Sequence, residues 1–163
     1  MIEQHISVYR RKGILVDTNL LLLLIVGATP SIKNFKRTNI YNISDYELLV
    51  RLIDQFEKLI ATPHILAEVS NLSNGLYGSQ QQDFFETLKR SLSSIIIEIH
   101  IPASELADNY SLSPHGVADV GVIALAKNNY LVLTDDLRVA SFALRNGVDV
   151  INFNHVRDAV WNT

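Results

Sequence analysis

The order of apolar and polar positions divides the chain into short buried runs and longer amphipathic stretches. Gly13–Val16 is a continuous apolar run, as expected of a strand covered on both faces, and Asp17-Thr18-Asn19 closes it with side chains suited to cap a helix from near Leu20. Residues 27–43 are polar, basic and irregular, and read as a loop. Ser44-x-x-Glu47 has the form of a capping box, and Tyr46, Leu48, Leu49, Leu52, Ile53, Phe56 and Leu59 follow at helical spacing. Leu59–Ala61 reads as a second strand, and Thr62-Pro63 as the start of a helix that Asn74-Gly75 ends. Gln80–Leu92 is amphipathic and helical, Ser94–Ile101 is a β-branched strand stopped by Pro102, and Ala103–Tyr110 is a short helix. Ser113-Pro114 opens a helix to about Asn128, Tyr130–Leu133 is a strand, Leu137–Arg145 is a helix stopped by Asn146-Gly147, and Val148–Phe153 is the last strand. Strands alternating with helices predict an α/β protein, a parallel sheet with helices on both faces.

Composition narrows the class. A chain of 163 residues with 48% hydrophobic content suits one domain, and no repeat or linker divides it. The expected single domain spans 1–163, with a core from about 13 to 153 and a basic loop at about 29–43. A charged fraction of 19% with only seven Gly and four Pro excludes a disordered, collagen-like or low-complexity chain. The absence of cysteine excludes a disulfide scaffold, a thiolate metal site and a Cys nucleophile. Arg10-Arg11-Lys12 ahead of apolar residues resembles a signal peptide, but Asp17-Thr18-Asn19 cuts the apolar stretch into pieces too short to span a bilayer. The expectation is a soluble, cytoplasmic protein with no membrane partner.

The net charge of −3 argues against a protein that coats nucleic acid, yet the charge is uneven. Residues 1–44 carry six Lys/Arg against Glu3 and Asp17, while the rest carries eight against fifteen acids. A modest basic flank thus accompanies an acidic body.

Ligands of an open parallel sheet bind at the carboxyl ends of its strands. Asp17 follows the first strand, and Asp135-Asp136 follow Tyr130–Leu133 at the same edge. Two further segments match each other: Thr62-Pro-His-Ile-Leu-Ala-Glu68-Val69 and Ser113-Pro-His-Gly-Val-Ala-Asp119-Val120. With Thr62 and Ser113 as N-caps, Glu68 and Asp119 fall in equivalent second-turn positions, bordering the buried face of their helices. Each acid alone has a plain structural reading as a cap or a solvated side chain. Four segments delivering carboxylates to one edge, with no neighbouring Lys or Arg at Asp17, Glu68 or Asp119, favour a bound divalent cation. All-oxygen ligation suits Mg²⁺ or Mn²⁺.

Gly13-Ile-Leu-Val-Asp17-Thr18-Asn19, Leu59-Ile-Ala-Thr-Pro-x-x-x-x-Glu68, Asp119 ahead of Val-Ile-Ala-Leu-Ala, and Leu131-Val-Leu-Thr134-Asp135-Asp136 resemble the ordered acidic motifs of PIN-domain ribonucleases, which include the VapC-type toxins of bacterial toxin–antitoxin pairs. The resemblance runs from about Gly13 to Phe153. It implies a three-layer α/β/α fold with a central five-stranded parallel sheet in the order 3-2-1-4-5. It also implies catalytic metal-ligand roles for Asp17, Glu68, Asp119 and Asp136, with Asn19, Thr134 and Asp135 supporting the site. The implied activity is cleavage of single-stranded RNA by endonucleolytic hydrolysis, leaving 5′-phosphate and 3′-hydroxyl ends. Besides RNA, the implied partners are an antitoxin protein and a second copy of the chain.

Grip on RNA needs groups outside an acidic pocket. Lys33, Lys36 and Arg37, with Phe35 and Tyr41 as stacking partners, are the candidates in the basic loop, which also reads as a plain exposed loop. His64 and His115 each precede an acid by four residues, so a shared helical face would bring them to the metal site or a phosphate; backbone-bonded helix-start histidines are the simpler reading. A receiver-type phosphoacceptor lacks its acidic pair and late Lys here, and a haloacid-dehalogenase-like phosphatase lacks Asp-x-Asp after the first strand. The remaining alternative is a non-catalytic PIN-like module that binds RNA or a protein partner.

Overall fold

Three runs without a polar side chain, Ile14–Val16 (β1), Leu59–Ala61 (β2) and Leu131–Leu133, form the buried centre of the structure. The computed structural model describes residues 2–113 and 115–161. Its single sheet adds β3 (Ile96–Glu98) and β5 (Val150–Asn152) to β1, β2 and β4 (Leu131–Thr134), all parallel, in the order β3-β2-β1-β4-β5. This is the strand order of the three-layer arrangement expected from the sequence. The central strands are covered on both faces, whereas edge strand β3 leaves Ile97 and Glu98 exposed.

Helices connect every strand. They are α1 (Ile2–Tyr9), α2 (Thr18–Gly27), α3 (Ile43–Ile53), α4 (Pro63–Leu72), α5 (Ser79–Ser94), α6 (Ala103–Asn109), α7 (Gly116–Ala126), α8 (Leu137–Arg145) and α9 (Phe153–Trp161). Helices α2 and α7 are apolar on nearly all sides and are correspondingly buried against several neighbours. A Cβ added at Gly27 would stand 2.2 Å from the Tyr46 ring, so the start of α3 lies directly on the end of α2. Residues 28–42 between them form turns without regular structure, as expected of the basic loop. They are nonetheless packed, with Ile32, Phe35 and Thr38 buried.

Several expected boundaries move. The capping box of α3 is Asn42/Asp45, not Ser44/Glu47: Asn42 Oδ1 accepts from the Asp45 N–H and Asp45 Oδ2 from the Asn42 N–H, each at 2.9 Å. Asp45 wins because it is also buried against Arg157 of α9. Helices α1 and α9 were not foreseen, and the predicted strand 148–153 shortens as Phe153 turns into α9. Pro114, expected in the first turn of a helix, lies outside the described residues. Among the described residues, no helix is long and apolar enough to cross a membrane.

Candidate functional site

The pairing of Val16 with Leu133 sets Asp17 beside Thr134 at the carboxyl edge of the sheet. Asp17 caps α2, and its Oδ1 accepts from the Thr18 N–H at 2.7 Å. Its Oδ2 accepts from the Thr134 hydroxyl at 2.6 Å. Burial raises the Asp17 pKa above the ordinary carboxyl value; the two hydrogen bonds oppose that rise, and the charges of Asp135 and Asp136 add to it. The Thr134 oxygen in turn accepts from the Asp136 N–H at 3.0 Å, so one hydroxyl orders both acids. Asp136 caps α8, accepting from the Arg138 N–H at 2.7 Å and from its guanidinium at 3.1 Å. Burial would raise the Asp136 pKa, but the hydrogen bonds and charge of Arg138 outweigh it and hold the carboxyl below its ordinary value.

Glu68 reaches the same edge from α4. Thr62 caps that helix through the Ile65 N–H at 3.2 Å, Pro63 occupies the first turn, and Glu68 accepts from the Thr18 hydroxyl at 2.9 Å. Asp119 comes from α7 and accepts no hydrogen bond from the described residues. Its pKa is pushed up to about 7, first by burial and then by the charges of Asp17, Glu68 and Asp136, with Arg138 opposing. The four acids therefore share one electrostatic environment.

The expected equivalence of Glu68 and Asp119 does not hold. Asp119 lies in the first turn of its helix, not the second, because α7 begins only at Gly116. Gly116 has φ +78°, a left-handed conformation that interrupts any right-handed helix running through from Ser113. The cap is His115, without a side-chain hydrogen bond. His115 thus shares no helical face with Asp119; its ring stacks on Phe142 of α8 at 4.0 Å. His64 does lie on α4 one turn before Glu68, but its Nδ1 is buried against Gly121 of α7 with no hydrogen-bond partner.

Asn19 donates to Asp135 Oδ1 at 3.3 Å, and the Tyr41 hydroxyl donates to Asp135 Oδ2. Lys33, Lys36 and Arg37 are exposed. Phe35 is only 7% exposed, which removes it as a stacking partner: it supports the loop from inside. Tyr41 is equally committed, between Asp135 and the Arg157 guanidinium that lies 4.9 Å above its ring.

Four carboxylates beside the Arg138 guanidinium form a donor set of the kind a hard divalent ion takes. The spacing is looser than the sequence suggested: among the described residues, no three His, Asp or Glu side chains are grouped closely enough to hold a metal ion as they stand. Asp17, Glu68 and Asp136 each spend oxygens on Thr18, Thr134 or Arg138. The residue types fit such an ion; their spacing as it stands does not close on one. A groove of about 370 Å³ lies between His115, Leu137, Arg138, Ser141 and Arg145; none of the four acids lines it, and Arg138, which bonds Asp136, is its link to them. The larger cavity of about 620 Å³ lies between the 28–42 segment, α2 and α3 and is lined by none of the four acids.

No protein-family model matches the chain, and no curated protein matches it in sequence. Arg138, Thr18, Asn154 and Arg157 are the site neighbours that sequence reasoning missed. The Asp-x-Arg spacing of 136–138 was a readable signal for the first. The others depend on contacts between distant segments.

Proposed function

We propose that the chain is a metal-dependent endoribonuclease that hydrolyses phosphodiester bonds of single-stranded RNA. The observation that carries this reading is the convergence of Asp17, Glu68, Asp119 and Asp136 on one sheet edge, where Asp119 feels the other three charges. Mg²⁺ or Mn²⁺, when bound, supplies a nucleophilic water at neutral pH and relieves charge on the transferring phosphate. Asp17, Glu68, Asp119 and Asp136 would hold it. Thr134 would fix the orientation of Asp17 and Asp136, and Thr18 that of Glu68. Asp119 is the acid poised to give up a proton near neutral pH as the cation takes its place.

An acidic edge repels RNA, so backbone grip falls to cations around it: Lys33, Lys36 and Arg37 on the 28–42 segment, and Arg138 and Arg145 along the groove with His115. The resemblance to PIN-domain ribonucleases supports 5′-phosphate and 3′-hydroxyl products. It extends the proposal to a toxin acting in the cytoplasm, with an antitoxin protein and a second copy of the chain as partners.

The test is incubation of the chain with assorted single-stranded RNAs, with and without Mn²⁺, followed by end-group analysis. Cleavage that requires Mn²⁺ and leaves 5′-phosphates supports the reading. The alternative reading is a non-catalytic module that binds RNA or a protein partner. RNA retained intact in the presence of Mn²⁺ would decide for that alternative.

A further inference from the structure

Asp135 is approached by donors from three separate parts of the chain. Asn19 of α2 and Tyr41 use its two carboxylate oxygens, and Asn154 of α9 donates to its backbone carbonyl at 2.8 Å. Both oxygens are engaged by neutral donors, whereas those of its neighbour Asp136 are engaged by Arg138.

What these contacts hold is the end of the 28–42 segment. Arg157 of α9 pairs with the buried Asp45 of α3 at 2.8 and 2.9 Å, donates to Ile40 O and Asn154 Oδ1 at 3.3 Å each, and covers the Tyr41 ring. At the other end, Gln80 of α5 donates to Ser31 O at 3.1 Å. Ile32, Phe35 and Thr38 face inward, so the segment presents Lys33, Lys36 and Arg37 outward. A loop of this length without regular structure is uncommon unless it serves a function. Arg37 is four residues from Tyr41, which keeps its backbone within about 15 Å of the latched tyrosine.

We propose that Asp135 is a positioning residue: through Tyr41 it sets the 28–42 segment as a fixed arm, so that Lys33, Lys36 and Arg37 hold the phosphates of single-stranded RNA in register with the acids. The inference rests on the ribonuclease reading above. The chemistry of the latch suits the task, because a phenol anchors the arm without placing a cation among carboxylates that need their charge. Tyr41 stays protonated in this role, since burial and the adjacent Asp135 carboxylate raise its pKa. Flexible cations would still attract RNA, but phosphate contacts fix register only when their own backbone is fixed.

The experiment compares the wild-type chain, Tyr41→Phe, Asp135→Asn, Lys36→Gln/Arg37→Gln and the combination of Tyr41→Phe with the charge pair. Cleavage of a single-stranded oligoribonucleotide with Mn²⁺ is followed beside amide hydrogen exchange of residues 28–42. Loss of one hydrogen bond to a charged group should raise KM about tenfold, with kcat held within about twofold and exchange across the arm faster. Removing the charges should cost less once the latch is gone than in wild type. Unchanged KM despite faster exchange overturns the inference, as does an equal loss in kcat or unchanged exchange. Asp135→Asn repeats the comparison should Tyr41→Phe not fold. Wild type that cleaves no RNA overturns the ribonuclease reading itself, visible before any variant is compared, and the inference falls with it.

Discussion

The Thr134 hydroxyl donates to Asp17 Oδ2 at 2.6 Å, joining residues 117 positions apart. Its oxygen also accepts the Asp136 N–H, so a neutral side chain aligns two acids that would otherwise repel. Because Thr134 is fully buried, no water replaces it when it is lost.

Thr134→Val keeps the shape and removes the hydrogen bond. It should cost about 1–3 kcal/mol, since Asp17 Oδ2 is left buried without its donor. Thermal unfolding checks this, with Tm falling about 2–4 °C per kcal/mol in a chain of this size. Thr134→Ser, which restores the donor, should recover most of the loss.

Asp17→Asn keeps a good helix cap and removes the charge. On the proposed function, cleavage should drop at least about a hundredfold while Tm stays near wild type. A cleavage rate equal to wild type would refute the ligand role.

Asp119 gives the chain a pH dependence of definite sign. Its pKa is raised from 3.8 to about 7 in the folded state, so the native protein holds this proton more tightly than the unfolded chain. Its contribution is most favourable below about pH 4 and is lost as pH rises towards 7. Asp136, held below its ordinary value, works the other way: its contribution is present at neutral pH and lost on acidification. Asp119→Asn should therefore raise apo-protein stability at pH 7 by about 1 kcal/mol after allowance for solvent screening, and flatten the stability profile between pH 4 and 7. Calorimetry across that range is the check.

Cation binding should reverse the same penalty. Mn²⁺ added at pH 7 should raise the wild-type Tm, because the ion binds the native state, and should release protons. The shift should shrink in Asp119→Asn. Titration calorimetry in buffers of different ionisation enthalpy separates proton release from the binding heat.

Asp45→Asn addresses the pair that holds α3 to α9. With Asp45 buried and Arg157 bonded to both its oxygens, removal of the charge should cost about 3 kcal/mol, read as a lower urea midpoint.

The sheet was legible because its strands are apolar, β-branched and separated by capping residues, and Asp17, Thr62 and Asp136 cap their helices as those signals indicate. The acids were legible as a set because each follows a strand or opens a helix at one edge. Their distances were not: repulsion and the hydrogen bonds of Glu68 to Thr18 and of Asp17 to Thr134 act between segments. Similarly, matching Thr62–Val69 to Ser113–Val120 by residue type could not reveal that Gly116 adopts a left-handed φ. Phe35 shows the same limit from the other side, since an aromatic in a polar loop looks exposed until the loop is seen folded onto the core. Helix α9 carries Phe153, Val156 and Val160 at helical spacing, but nothing in that spacing shows that it supplies Asn154 and Arg157 to the site edge.

At Gly27 a single absent methyl lets Tyr46 sit against the end of α2, which brings the two ends of the intervening segment together. A chain excursion that starts and finishes at one spot closes cheaply: doubling its length adds only about 0.6 kcal/mol of closure entropy. Its outward positions are therefore free to vary in length and charge, whereas Ile32 and Phe35, set in the core, are not.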